Sequence, residues 1–182
     1  MKLLSLVGDG TGRRKVEMMS DSAVIKDGRP FYVPAIAGQW DYKIGVAFHI
    51  GRMGKNVAER FARRYIDSMA LCVMPRPRDI SDAMVAGGDM LHSFDGAVIL
   101  GSWIDIPVDG MPDIVADGRA ITFERDPLDS ICPMVSLMSM FGTLKTGDVM
   151  IPESMYLGGD YPEGYVVRAL ANGVECLEFR VK

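Results

Sequence analysis

The chain has 182 residues, 48% of them hydrophobic and 24% charged, which is enough apolar material for one self-sufficient core and indicates a single globular domain over 1–182. Twenty basic against 24 acidic residues give a net charge of −4, which excludes a general attraction to nucleic acid or to an anionic membrane. No apolar run approaches the ~20 residues of a spanning helix, and three widely spaced cysteines (Cys72, Cys132, Cys176) form neither a disulfide framework nor a zinc motif, so a reducing cytoplasm is the expected compartment. The 14 methionines are scattered, as core filler rather than as a soft-metal cluster.

Leu3 to Val7 reads as a short buried strand that runs into Val7-Gly8-Asp9-Gly10-Thr11-Gly12. Those glycines follow neither G-x-G-x-x-G nor a Gly-Lys-Ser/Thr pattern, and Val16 to Asp27 shows no long amphipathic period, so a turn is favoured over a phosphate loop. The clearest strand is Asp41 to Ile50. Its alternation puts Tyr42, Ile44, Val46, Phe48 and Ile50 on a core face and Asp41, Lys43, Gly45, Ala47 and His49 on the other. Asn56 is placed to cap a helix with Glu59 in its first turn and Val57, Phe61, Tyr65 and Met69 along one stripe. This segment continues into Leu71 to Met74 and is stopped by Pro75 and Pro77.

Ala97 to Ile106 is a further expected strand, and Ile131 to Phe141 a second helix with Pro133 near its start. Thr146-Gly147-Asp148 turns the chain into Val149-Met150-Ile151, and Tyr165 to Leu170 with Val174 to Val181 forms a hairpin around Asn172-Gly173. Strands outnumber helices without regular alternation. The fold class is therefore α+β and β-rich rather than doubly wound.

The order of these segments carries more than any one of them. Asp41 to Gly51 followed by Lys55-Asn56-Val57-Ala58-Glu59 resembles the signature segment of the fumarylacetoacetate hydrolase family. Phe94-Asp95 through Leu100-Gly101-Ser102-Trp103 resembles its F-D-x-x-x-x-L-G-P-W, and Leu144 to Met150 its L-x-P-G-D-V-I. The resemblance covers most of the chain. It implies a mixed β-roll or sandwich of the family's C-terminal-domain type with a few helices, residues 1–40 packing on the roll as an N-terminal strand and loop region. It further implies a homodimer, a divalent metal, and chemistry on 1,3-diketo or 2-oxo acids. The family's G-x-N-Y-x-x-H-x-x-E falls on Gly8, Gly10, Thr11, Arg14 and Glu17, making the glycine-rich stretch a substrate-side loop.

The same resemblance locates the site and shows what has changed in it. Family members hold Mg or Mn with E-x-E on the long strand and a later Asp; here the resemblance sets the Glu positions at Lys43 and Gly45 and the Asp position at Met74, or at a neighbour if the register slips by one. An ammonium, a hydrogen and a thioether do not replace three carboxylates. Lys43 would repel a divalent cation at ~4 Å by about 8 kcal/mol at an effective dielectric of about 20. The family's F-x-K-P appears as Phe31-Tyr32-Val33-Pro34, and its histidine position is Arg14, leaving Glu17 alone of the acid–base set.

These losses together favour a non-catalytic member that has lost its metal site and binds no metal cofactor, with a regulatory, scaffolding or small-acid-binding role. The candidate pocket is Arg14, Glu17, Lys43, Gly45 and Met74, its expected ligand a small carboxylic acid and its expected partner a second copy of the chain. One alternative is a rebuilt, metal-free pocket in which Lys43, with Arg14 and Arg76 or Arg78, holds a carboxylate, and which hydrolyses or decarboxylates an oxo acid; against it, Lys43 simply pairs with Asp41 or Glu17. Another is a metal site built from Asp79, Asp82 and Glu153. His49 and His92 are read as structural histidines, and Ser102 lacks the G-x-S-x-G elbow of a nucleophile.

Overall fold

The computed structural model describes residues 1–8, 14–26, 28–79, 92–153 and 155–182. The first two strands, β1 (Leu3–Gly8) and β2 (Arg14–Met19), form an antiparallel hairpin in which Ser5 faces Glu17 and Leu3 faces Met19. The glycine-rich segment thus leads into a strand. A phosphate loop needs a helix N-terminus there, and none is offered; residues 9–13 of the loop lie outside the described set.

After β3 (Val24–Lys26) comes β4 (Trp40–Ile50), whose alternation matches the sequence pattern: Tyr42, Ile44, Val46, Phe48 and Ile50 are all buried. The second face of β4 is buried at its middle, at Gly45 and Ala47, and partly exposed at Asp41, Lys43 and His49. Ala47 is fully buried there with Leu3, Met19, Ala70, Cys72, Met74, Val98 and Val149 in a second core cluster. Small side chains on this face let strands on opposite sides of the sheet close over it.

The expected helix from Asn56 to Met69 is mostly absent. Helix α1 is a single turn, Glu59–Ala62, entered from Ala58 without a side-chain cap; a 3₁₀ turn at Arg63–Tyr65 comes next, and β5 runs over Ile66–Pro77. Asn56 instead adopts φ +51° and donates its N–H to the Ser139 carbonyl. The four-residue spacing is real but local. Pairing along nearly all of β4, with Met69 opposite Phe48, stabilises the extended form of 66–77 far more than four helical residues could stabilise themselves.

Expected strand 97–106 divides into β6 (Val98–Leu100) and β7 (Ile104–Asp105). Between them Gly101 donates to Leu71 O and Ser102 to Cys176 O, bridging the two sheets. After β8 (Ile114–Ala116) and β9 (Arg119–Ile121), helix α2 spans Pro127–Phe141. It starts earlier than the sequence pattern implies, because Asp126 caps the Leu128 N–H and Pro127 occupies the first turn, where a missing N–H costs nothing. Pro133 lies inside it. Strands β10 (Val149–Ile151), β11 (Met155–Leu157), β12 (Val166–Ala171) and β13 (Val174–Arg180) complete the chain. The closing hairpin turns at Asn172 and Gly173, both at positive φ, as expected.

Among the described residues the large sheet has the order β2-β1-β10-β4-β5-β6-β3, with β11 on β4 and β7 on β5, and a second sheet has the order β13-β12-β8-β9. This is a β-rich α+β fold with a curled half-barrel sheet. The first core cluster joins the outer face of β4 to α2 and the second sheet, through Ile131, Met134, Val135, Val167, Leu177 and Phe179. Phe31 forms a parallel bridge to Val181, laying the stretch before β4 along the closing hairpin. Among the described residues no helix is long and apolar enough to cross a membrane.

Candidate functional site

The β4–β5 ladder decides which side chains meet on the inner face. Lys43 is opposite Met74, Gly45 opposite Cys72, and Asp41 opposite Arg76, so Lys43, Gly45 and Met74 are immediate neighbours there. Glu17 joins them from β2, at the other side of the curl. Pairing of adjacent strands brings Lys43, Gly45 and Met74 together, whereas Glu17 reaches Arg76 on β5 only because the sheet folds over on itself.

Met74 is fully buried, with Ser5 Oγ at 3.9 Å and Arg76 Nη2 at 3.8 Å from its sulfur. The Arg76 guanidinium lies inward beside it, only 9% of the residue exposed, and Nη2 donates to Glu17 Oε2 at 3.1 Å. Burial pushes the Arg76 guanidinium down from its ordinary value while the Glu17 carboxylate opposes that shift. An arginine remains charged under such a balance. Its Nη1 is enclosed and has no hydrogen-bond partner among the described residues.

On the other side of Glu17, Oε1 is 3.4 Å from His92 Nε2. The sequence reading gives His92 no place in the site. It reaches Glu17 because the segment before β6 closes against β2, where Ser20 N also donates to Ser93 Oγ. The signal available in the sequence is its position just ahead of the Phe94-Asp95 motif.

Lys43 is half-buried, and neither expected partner engages it. Asp41 is taken by Arg78, whose Nε donates at 3.0 Å, and Glu17 by Arg76. No hydrogen bond or ion pair to the Lys43 ammonium is formed among the described residues. Arg14 opens β2 opposite Gly8, and its side chain is outside the described set.

Of the other candidates, Asp79 is exposed and accepts the Gln39 N–H at 2.6 Å, Glu153 is exposed, and Asp82 lies outside the described residues. His49 sits at the far end of β4, its Nδ1 2.7 Å from Asp67 Oδ1 and its ring against Trp103. Val33, set by the resemblance at the F-x-K-P lysine position, donates its N–H to the Lys182 carbonyl.

A hard divalent cation needs several oxygen donors converging at 2.0–2.6 Å. The inner face offers an ammonium, a hydrogen, a thioether and a guanidinium, and this donor set does not fit such an ion. Among the described residues no group of three His, Cys, Asp or Glu side chains is arranged as a metal centre.

Comparison with known proteins agrees with this architecture. The model of the fumarylacetoacetate (FAA) hydrolase C-terminal family matches residues 12–152. Oxaloacetate tautomerase FAHD1, mitochondrial, of Bos taurus is 23% identical over 173 residues, covering 88% of this chain and 77% of that protein, and the Rattus norvegicus protein matches equally. Among solved structures, 2-hydroxyhepta-2,4-diene-1,7-dioate isomerase from Mycobacterium marinum superposes with a TM-score of 0.79 at 21% identity, covering 99% of this chain and 73% of that one. Fumarylpyruvate hydrolase from Pseudomonas aeruginosa, in complex with Mn²⁺ and pyruvate, gives 0.76 at 19% identity, covering 100% and 89%. With the family model spanning most of its length and the same sheet architecture in its structural neighbours, this chain belongs to the fumarylacetoacetate hydrolase family.

Proposed function

We propose that this chain is a family member that holds a small 2-oxo or 1,3-diketo carboxylic acid without a divalent metal at the inner-face strand positions, as a binding protein rather than a metallohydrolase. The observation that carries the reading is the Arg76 guanidinium lying against Met74, on the strand face that also carries Lys43. The relatives support the ligand class: one is named an oxaloacetate tautomerase, and the structure of another contains pyruvate. A fixed positive charge in a water-poor interior can hold a carboxylate directly, with no ion between them.

Calorimetry with Mg²⁺ and Mn²⁺, alone and with pyruvate or oxalate, tests this. The expected result is no stoichiometric metal binding, together with a rise in Tm caused by oxalate, pyruvate or oxaloacetate in the presence of EDTA. Tight one-to-one Mn²⁺ binding, or acid binding abolished by EDTA, overturns it.

A further inference from the structure

We infer that Arg76 and Lys43 form a two-point carboxylate receptor, with Arg76 Nη1 as its inner donor and the Lys43 ammonium as its outer one. The inference rests on the reading that an oxo acid binds here without metal, and it specifies which groups of this chain hold the acid's carboxylate.

The argument begins with an unsatisfied donor. A guanidinium presents a planar fork of N–H groups, and a buried one normally has its donors occupied. Arg76 uses Nη2 on Glu17 and leaves Nη1 enclosed without an acceptor among the described residues, in a residue only 9% exposed. Such a donor is costly to leave unmade, and an anion supplies what it lacks.

The ladder then supplies the second cation. Asp41 is opposite Arg76 and Lys43 opposite Met74, so Lys43 and Arg76 are diagonal neighbours on one face, about 7–8 Å apart at the backbone. Two long side chains at that separation can share one carboxylate. Among the described residues the nearby acids are engaged elsewhere: Glu17 is on Nη2, and Asp41 on Arg78. The order across the site is thus the Glu17 carboxylate, the Arg76 guanidinium and the Lys43 ammonium, two cations in succession that one carboxylate can bridge.

The test measures thermal stabilisation by pyruvate at fixed ionic strength in EDTA, with sulfate and acetate as comparison anions. Lys43→Met leaves the interior intact, and Arg76→Lys keeps the charge while removing the fork. Each is expected to weaken pyruvate binding about tenfold to hundredfold, the loss of one charge-assisted hydrogen bond. Because Arg76→Lys also disturbs a buried ion pair, the side-chain N–H resonances of Arg76 are followed by NMR in the unmodified protein and are expected to shift on pyruvate addition.

EDTA-resistant pyruvate binding that is unchanged in Lys43→Met and leaves the Arg76 resonances unmoved overturns the receptor while the metal-free reading stands. Binding lost in EDTA overturns the metal-free reading itself, and absence of any binding overturns both. Equal stabilisation by sulfate overturns the carboxylate assignment.

Discussion

Glu17 and Arg76 stand four places apart in the strand order of the large sheet, and their side chains meet at 3.1 Å in its interior. In a flat sheet that separation is about 19 Å, at ~4.8 Å per strand. The ion pair is therefore a direct measure of the curl, and both partners are nearly removed from water. Removing one partner strands the other charge: Glu17→Ala is expected to cost about 3–5 kcal/mol, and Glu17→Leu with Arg76→Met much less than the sum of the single changes. Urea denaturation of the two single variants and the double variant checks this, with additive losses as the contrary result.

Gly101 fixes the distance between the two sheets. A Cβ there would lie 2.3 Å from the Cys176 carbonyl oxygen and 3.1 Å from that of Leu71, both backbone atoms that cannot swing aside. Gly101→Ala is expected to destabilise by about 3 kcal/mol, at the upper end of overpacking changes. A lowered Tm with unaltered circular dichroism is the predicted outcome, and an unchanged Tm refutes it.

Asp148 ties the chain's beginning to the turn before β10. It is 1% exposed, accepts the N–H groups of Lys2 and Lys145 at 2.8 Å each, and pairs with Lys2 Nζ at 3.3 Å. Asp148→Ala leaves two donors unpaired and is expected to cost about 3 kcal/mol. Native-state hydrogen exchange should report the loss first at the amides of Lys2 and Lys145. Exchange there that stays at the unmodified rate contradicts the assignment.

The Asp67 carboxyl is pushed up by burial, but hydrogen bonds from His49 and Ser68 outweigh this and hold it below its ordinary value. A depressed acid contributes stability that is present above its unfolded pKa and lost as pH falls through the folded one. Its side chain is 54% exposed, so solvent screening limits the effect to no more than about 1 kcal/mol. Asp67→Asn should be less stable than the parent near neutrality, and the gap should close in acid below the ordinary carboxylate range. Denaturation midpoints across pH test this; a gap that widens in acid has the wrong sign.

Cys72, opposite Gly45, has its thiol pushed up to about 12 by burial, against the lowering influence of the Gly45 backbone and of Arg76. Near neutrality the thiol therefore stays protonated, and it is fully buried. Iodoacetamide is expected to label Cys72 only at the rate of unfolding. Rapid labelling of the native protein would show the inner face to be open.

The sequence by itself determined what is local. The alternation of β4, the Asn172-Gly173 hairpin and the Thr146-Gly147-Asp148 turn follow from side-chain period and backbone preference, and the lack of a carboxylate at Lys43, Gly45 and Met74 is read directly from residue identity. Tertiary structure decided the rest. It converted Ile66 to Met69 from a helical stripe into strand, because pairing along β4 outweighs propensity over so few residues. It buried the middle of β4 on both faces, and by curling the sheet it carried His92 and Arg76 to the two oxygens of Glu17. No period along the chain encodes that meeting, since it arises only when strands distant in sequence close over a shared layer of small side chains.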